Sequence, residues 1–308
     1  MSAGAPDLRS RLAGAVWGHL VGDAMGVPYE FKSPGQCRTP VFGAKGTHAQ
    51  PPGTWSDDGA LMLALLDSLL SRGFSPADQG RRVVGWHERG DYAPGRLVFD
   101  VGGTMARAIE RLSGGVAATS AGPADENSCG NGSLMRILPV ALCGRHLVAP
   151  DLVRQARLAS RVTHGHVLPQ TACALYVLAC RSVMAGAAPA DALPNAYNIL
   201  LDVLSRAGDR PALAALATIW DWPGPPAGTG YVVDALWSAY AAFRGSTTYA
   251  EAVSDAIRYG HDTDTTAAIA GGLAGLYYGV DAIPAEWREA LRSKDIPRHL
   301  VDRMLNTV

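Results

Sequence analysis

Two short acidic motifs in this chain have the composition of a metal site. Asp262 and Asp264 lie one residue apart, and Asp57 directly precedes Asp58 after the hydroxyl of Ser56. Four carboxylates held together repel one another unless cations compensate their charge. Ligand sets made only of oxygen atoms select hard cations such as Mg²⁺, Mn²⁺ or Ca²⁺. Each pair alone would also be explained by helix capping, but two such pairs favour a metal site.

Each acidic motif opens an apolar helix. Pro51, Pro52 and Gly53 interrupt the chain, and Ser56 is a natural N-cap for a helix over 57–72. We expect Asp262 in an extended lead-in and Asp264 as the cap of the second helix, because that arrangement brings both carboxylates together.

Two segments repeat glycine at every fourth residue. These residues are Gly14, Gly18, Gly22 and Gly26 in the first segment and Gly271, Gly275 and Gly279 in the second. Such a ridge lets another helix approach closely, although each glycine costs about 1 kcal/mol relative to alanine in a helix. We therefore predict that helix 8–26 packs antiparallel against the helix that follows Asp262. Glu30 would then reach the acidic cluster, whereas Asp23 is interpreted as a structural residue.

The chain as a whole has the pattern of an all-α protein with a single core. Almost no alternating β-branched segment is present, and apolar residues recur with helical spacing. We predict one domain over 1–308 with a flexible tail at 1–7. Predicted helices cover 8–26, 57–72, 76–89, 149–161, 169–185, 189–207, 211–220, 231–243 and 248–259. Residues 32–55 and 92–104 are predicted as loops, and a long loop in a compact domain is usually functional.

Three further segments are candidates for ligand binding. Small residues at 128–133 precede a predicted helix that Pro139 would break or kink, which suits either an anion cradle or an ordinary capped turn. His164 and His166 make a poor zinc site without a third partner. The loop 220–231 is rich in Pro, Gly and aromatic residues and could wall a pocket.

Composition excludes several classes of protein. Of the 308 residues 48% are hydrophobic, and the net charge is −1. There is no basic stripe for a nucleic-acid backbone. Five cysteines fit no zinc spacing and indicate reduced thiols in the cytoplasm. The N-terminus lacks the features of a signal peptide, and no membrane span is expected.

Taken together, these motifs resemble the ADP-ribosylglycohydrolase family. The matching segments are 22–30, 55–58, 130–132, 163–164, 228–231 and 262–265, in family order over nearly the whole chain. The resemblance implies an orthogonal helical bundle with two Mg²⁺ ions, or Mn²⁺ in some members. A monomer that binds ADP-ribose or an ADP-ribosylated protein, and not a membrane, is expected.

The resemblance also implies a set of site residues. Metal ligands would be Ser56, Asp57, Asp58, Asp262, Asp264 and Thr265. Catalytic residues would be Glu30, Asp57, Asp58 and Asp264. Substrate-binding residues would be Asp100, Ser128, Cys129, Gly130, Asn131, Gly132, Ser133, His164, Gly228, Thr229, Gly230 and Tyr231, with Tyr231 stacking on adenine.

The implied reaction is hydrolysis of the bond between ADP-ribose and a modified side chain, most readily arginine. Cations would orient the ribose and acidify a water, and Glu30 or an aspartate would act as the base. The alternatives are a serine linkage, O-acetyl-ADP-ribose, a nucleic-acid base, or a binding protein without catalysis.

Overall fold

A computed structural model describes residues 6–308 of the chain. The described part is built from α-helices and no β-strand, with one isolated bridge between Gly130 and Tyr231. The helices are α1 Leu8–Gly26, α2 Asp57–Arg72, α3 Pro76–Arg89, α4 Gly103–Ser113, α5 Ala118–Ala121, α6 Leu138–Cys143, α7 Ala149–Arg161, α8 Val167–Met184, α9 Pro189–Ala207, α10 Arg210–Trp220, α11 Val232–Gly245, α12 Tyr249–Arg258, α13 Thr263–Tyr278, α14 Ala285–Glu289 and α15 Asp295–Leu305. The predicted all-α class with one core is confirmed.

The start of the chain is only partly described. Residues 1–5 of the predicted tail 1–7 lie outside the described residues. Asp7 caps α1, because its carboxylate accepts a hydrogen bond from the backbone of Ser10 at 2.7 Å.

The glycine ridges pack against each other as predicted. Gly14 faces Gly275, and Gly18 faces Gly271, so that the residue order reverses between α1 and α13 and the helices are antiparallel. A Cβ atom at any of these glycines would collide with a backbone carbonyl oxygen of the other helix. The absence of side chains therefore allows the two backbones to touch.

Both helices of this pair lie at the centre of the core. Every residue of α13 from Thr263 to Leu276 is buried, and so is every residue of α1 from Leu12 to Gly26. Helices α8, α11 and α12 surround α13. A helix that is apolar on all sides is expected in such a position.

Helix α8 is also apolar on all sides. By length and composition it could cross a membrane, but 78% of it is buried inside this protein. It therefore serves as a core helix here, packed against α7 and α9.

The predicted helix start after Ser133 is wrong. The segment after Ser133 was expected to be helical and to be broken at Pro139, but residues 132–136 form turns and α6 begins at Leu138. Proline lacks an N–H group and disfavours the helical conformation of the residue before it, so it suits a first turn. The loop 128–133 consequently does not lead directly into a helix.

The predicted loop between α1 and α2 covers one end of the bundle. Val41 donates its backbone N–H to the hydroxyl of Tyr29 at 2.9 Å, and the Trp55 indole donates to the carbonyl of Tyr92 at 3.1 Å. These bonds tie the loop to the end of α1 and to the loop that precedes α4. Both loops thus lie beside the N-termini of α2 and α13.

Candidate metal centre and substrate cleft

The N-terminus of α2 presents two buried acids. Ser56 caps the helix as predicted, with its hydroxyl accepting from the backbone of Asp58 at 3.3 Å. Asp57 and Asp58 follow in the first turn and are buried. Asp23 fixes this turn from α1, because its carboxylate accepts from the backbone of Ser56 at 2.9 Å and of Gly59 at 2.7 Å. The structural interpretation of Asp23 agrees with these bonds.

The N-terminus of α13 differs from the prediction by two residues. Asp262, and not Asp264, occupies the N-cap position, since its carbonyl accepts the first helical bond from Thr266 at 3.2 Å. Asp264 lies in the first turn, where it accepts from the backbone of Thr265 at 3.0 Å. Thr263 donates to the carbonyl of Gly26 at 2.9 Å and so anchors this end against α1.

The two helix N-termini meet. The hydroxyl of Thr265 on α13 donates to Oδ2 of Asp58 on α2 at 3.3 Å. Single carboxylate oxygens of Glu30, Asp262 and Asp264 lie within 4.8 Å of one another. Carboxylates from segments far apart in sequence thereby form one acidic cluster.

The acidic cluster has the electrostatic properties of a cation-binding site. Burial, followed by the neighbouring acids, raises the pKa values of Asp57, Asp58 and Asp264 well above their usual range. Burial also raises the pKa of Asp262. Asp58 Oδ1 and Asp264 Oδ2 are buried and have no hydrogen-bond partner within residues 6–308. Buried carboxylate oxygens without partners are costly unless a metal coordinates them, so these residues fit hard divalent cations.

Glu30 extends the cluster and has a partner that the sequence analysis missed. It is buried, and burial together with Asp100 and Asp262 raises its pKa to about 9. Nε2 of His48, from the loop between α1 and α2, contacts its Oε2 atom directly. A histidine in an aperiodic loop gave no sequence signal, because only the folded loop brings it to Glu30.

Asp100 joins this edge of the site. Ligand atoms of Glu30, His48 and Asp100 lie within 4.8 Å of one another. Burial and the charge of Asp262 raise the pKa of Asp100 to about 6. Its backbone has a positive φ of 59°, which is uncommon for a residue other than glycine.

A cleft of about 240 Å³ opens onto the acids. Predicted site residues that line it are Glu30, Asp57, Asp58, Asp100, Gly130, Asn131, Gly132, His164, Gly230, Asp262 and Thr265. Lining residues that the sequence analysis missed are Gly102, Gly103, Thr104, Met105 and Met135. Gly102 is the N-cap of α4 and Gly103 and Thr104 begin the helix; the Gly–Gly pair was the available signal that a ligand approaches the backbone there.

The loop 128–133 lies partly in the cleft. The Asn131 amide donates to Asp262 at 2.8 Å and so joins this loop to the acids. Ser128 and Ser133 are fully buried and do not line the cleft. Ser128 bonds to Asp125 at 2.9 Å, and the hydroxyl of Ser133 lies 2.8 Å from that of Ser160. Their hydroxyls therefore serve the loop and not a ligand.

Cys129, a further predicted site residue, does not line the cleft. The Cys129 thiol lies 3.2 Å from Nδ1 of His166, and its carbonyl accepts from Val232 at 3.0 Å. Burial raises the pKa of this thiol, so it remains protonated at neutral pH.

His164 is a neutral hydrogen-bonding group of the cleft. Burial, Arg136 and Arg107 lower its pKa to about 3. The Arg136 guanidinium donates to the Thr163 hydroxyl at 2.6 Å, which leaves that hydroxyl's own proton for Nδ1 of His164 at 3.0 Å. We infer that Nε2 carries the ring proton and offers it to a ligand.

The segment 228–231 reaches the cleft through Gly230. Gly228 has a φ of 67°, and its carbonyl accepts from Asp262 at 2.8 Å. The Thr229 hydroxyl donates to Asp234 at 2.6 Å and is thereby turned away from the cleft. The Tyr231 ring lies 5.3 Å from that of Trp222, next to the bridge with Gly130. Gly230 is the member of this segment that lines the cleft.

A larger cleft of about 500 Å³ lies elsewhere, between α7 and α9. Three of its arginines are already paired, Arg154 with Asp151 at 3.3 Å, Arg157 with Asp209 at 2.7 Å and Arg206 with Asp202 at 2.8 Å. It contains no cluster of acids, so the chemistry belongs to the smaller cleft.

Comparison with known proteins agrees with this geometry. Residues 4–308 match the family model described as ADP-ribosylglycohydrolase. An ADP-ribosylarginine hydrolase Tri1 from Pseudomonas putida is 29% identical over 91% of this chain and 73% of its own. An ADP-ribosyl-[dinitrogen reductase] glycohydrolase from Rhodospirillum rubrum is 29% identical over 94% of this chain and 92% of its own. A solved structure titled ADP-ribosylglycohydrolase-related protein complex superposes with a TM-score of 0.77 and 32% identity, over 97% of this chain and 98% of that chain.

Proposed function

Because this chain belongs to the ADP-ribosylglycohydrolase family, we propose that it hydrolyses the bond between ADP-ribose and a modified arginine side chain. The observation that carries the proposal is the meeting of two helix N-termini around buried, unpartnered carboxylate oxygens of Asp58 and Asp264. Such a site has little use in a protein that only needs a stable fold, because the acids repel one another.

The proposed cofactors are two divalent cations, Mg²⁺ or Mn²⁺. Their ligands would be Ser56, Asp57, Asp58, Asp262, Asp264 and Thr265. When bound, such cations supply Lewis-acid chemistry, orienting the ribose hydroxyls and acidifying a water.

Glu30 is the proposed general base. Its carboxylate lines the cleft beside the acidic cluster, and bound cations would favour its ionised form, which accepts a proton. It would take a proton from the water that attacks the anomeric carbon, while the C–N bond breaks, its electron pair leaves with the guanidine nitrogen, and the released guanidine takes up the proton. His48 holds the Glu30 carboxylate in place.

Asp100 supports arginine as the side chain released. It lines the cleft beside Glu30, and an acid there suits the positive charge of a guanidinium. The Pseudomonas relative is named for hydrolysis of ADP-ribosylarginine, which supports the same linkage.

The remaining walls would bind the ADP-ribose portion. Gly130, Gly132 and Gly230 leave backbone close to a ligand, and His164 offers an N–H donor for its oxygens. The Tyr231–Trp222 ring pair is the proposed platform for adenine.

The test is release of free ADP-ribose from a protein modified on arginine, with Mg²⁺ or Mn²⁺, with EDTA, and with the variant Asp264→Ala. Release that needs both the metal and Asp264 supports the proposal. The exposed Asp281→Ala is the matched control and should behave as wild type. Turnover of a serine-linked substrate but not of the arginine-linked one would show that the proposed linkage is wrong and that the proposed reaction, hydrolysis of an ADP-ribose bond, is right. Binding of ADP-ribose without any turnover would overturn the enzymatic proposal.

A further inference from the structure

The mouth of the cleft carries an exposed aromatic surface that the reaction chemistry does not require. The rings of Phe31, His48 and Phe99 form a row, with centroid separations of 5.8 Å and 5.1 Å on the two sides of His48. Phe31 directly follows Glu30, and Phe99 directly precedes Asp100. The row therefore borders the two acids at the cleft edge.

Phe31 is unusually exposed for an aromatic residue. At 69% it is the most exposed of the large hydrophobic side chains described in residues 6–308, and Leu97, two residues before Phe99, is 50% exposed. Exposed apolar side chains in the two loops that supply Glu30 and Asp100 to the cleft indicate an interaction surface, whereas scattered ones need no explanation. We define Phe31, Leu97 and Phe99 as the apolar rim.

The backbone holds Phe31 in this position against its preference. Its φ is 62°, in the left-handed region that a bulky side chain rarely adopts. Two backbone bonds impose the conformation, from Phe31 N–H to the His261 carbonyl at 2.6 Å and from His261 N–H to the Lys32 carbonyl at 2.8 Å. His261 immediately precedes Asp262, so the acidic motif itself fixes the direction of this ring. A strained residue retained beside a site points to a function there.

The loop that begins at Phe31 and carries His48 is positively charged, in contrast to the acids inside the cleft. Between Phe31 and Trp55 the Lys and Arg residues are Lys32, Arg38 and Lys45, and no Asp or Glu occurs in that stretch. None of these three cations forms an ion pair with a residue of the described chain, 6–308. Unpaired cations in the loop that begins at Phe31, together with the apolar rim, complement a protein surface that has apolar and acidic groups.

We propose that the apolar rim is the docking surface for the polypeptide that carries the ADP-ribosyl group, a protein with apolar and acidic groups around its modified residue. This inference rests on the proposed function, and it adds that the enzyme recognises the protein as well as the modified side chain. The ADP-ribosyl group would enter the cleft while the surrounding chain contacts Phe31, Leu97 and Phe99.

The experiment compares two substrates that share one linkage, ADP-ribosylarginine as a small molecule and a folded protein modified on arginine. The variants are Phe31→Asn, Leu97→Ser and both together. Asparagine is chosen because it tolerates a positive φ, so the backbone can keep its conformation. Val148→Asn is the matched control, since Val148 is 65% exposed and lies at the N-cap of α7, outside both rim loops.

We expect kcat/KM for the modified protein to fall roughly tenfold in the double variant, the effect of removing an interface anchor. The value for the small molecule should stay within about twofold, since the rim touches no part of it. Added salt should lower kcat/KM of the wild type more for the protein than for the small molecule.

An equal loss on both substrates would mean that the rim acts on the chemistry, and no loss on either would mean that it docks nothing; both overturn the proposal. Faster cleavage of a modified nucleic acid than of any modified protein would also overturn it. If the wild type cleaves neither substrate, the proposed function has failed. Docking is then tested separately, by measuring binding of the modified protein and of free ADP-ribose. Phe31→Asn must then weaken binding of the modified protein without weakening binding of free ADP-ribose.

Discussion

At the scale of single residues, what matters in the site is which polar atoms lack a partner. Asp58 and Asp264 each have one carboxylate oxygen that is hydrogen-bonded and one that is not, within residues 6–308. Asp23 is as deeply buried, but both of its oxygens accept backbone N–H groups. This difference separates a structural acid from proposed metal ligands of the same residue type.

The variant Asp264→Asn is expected to lower metal affinity and activity roughly 100-fold or more. Substituting residues that only hydrogen-bond to a metal ligand already lowers affinity or activity about 10- to 100-fold, and Asp264 is a proposed ligand itself. Without metal its free energy of unfolding should stay the same or rise, since the substitution removes one of several repelling charges. Calorimetric titration with Mn²⁺ and thermal unfolding with EDTA measure the two effects. Asp281→Asn is the control, and full activity of the Asp264 variant would remove Asp264 from the metal site.

His48 is expected to act on the reaction by positioning Glu30. His48→Ala should lower kcat roughly tenfold, the value of a hydrogen bond to a charged group. His48→Gln should recover most of the loss, because its amide can donate from near the Nε2 position. KM should change little in both variants. Equal activity of the alanine and glutamine variants would show that the contact with Glu30 is not needed for catalysis.

At the scale of secondary-structure elements, the site depends on how closely α1 and α13 approach. Their facing glycines let the backbones touch, and Tyr249 from α12 donates to the carbonyl of Gly18 at 2.7 Å. Gly26, at the end of α1, abuts the backbone of Asp264, so the same contact places the acidic turn of α13. A change in the spacing of these helices would therefore move the proposed metal ligands.

Gly18→Ala should destabilise the protein by about 1–3 kcal/mol or more. The new methyl group would collide with the carbonyl oxygen of Gly271 and would lie 3.0 Å from a ring carbon of Tyr249. Gly245→Ala is the matched control at the end of α11, where a Cβ atom has open space. That control should be neutral or more stable, because alanine favours helix. Denaturant unfolding of both variants measures the difference. An unchanged midpoint for Gly18→Ala would mean that the ridge is not tightly packed.

At the scale of the whole molecule, the buried acidic cluster lowers the stability of the folded chain, because the carboxyl groups repel one another and are removed from water. Folding raises the pKa values of Asp100 to about 6 and of Glu30 to about 9. The folded chain then binds more protons than the unfolded chain, and its stability falls as pH rises through this window. Bound cations would offset that loss.

We expect the thermal midpoint in EDTA to fall as pH rises from about 5 to about 9, the window set by these raised pKa values. Added Mg²⁺ or Mn²⁺ should raise the midpoint, and more strongly at the alkaline end, because the cation displaces protons from the carboxyl groups. Scanning fluorimetry across pH with and without metal tests both statements. In Asp264→Asn the metal effect should disappear, and a metal-induced rise equal at every pH would contradict the protonation argument.

The sequence by itself determined those features that depend on local pattern. Ser56 caps α2 as its residue type predicts, the facing glycine ridges follow from a four-residue repeat, and uniformly apolar segments form the central helices. The motifs around the acids likewise indicated the family that the comparison then gave. Each of these signals lies within one helix or its first turn, where the physics is short in range.

Only the tertiary structure decided which side chains face the cleft and what they contact. Ser128 and Ser133 belong to a predicted ligand loop, but bonds to Asp125 and Ser160 turn both away. His48 reaches Glu30 from 18 residues along the chain, and the exposed Phe31 ring is directed by bonds to His261. Those contacts depend on the approach of segments that are distant in sequence, and a local pattern does not encode that approach.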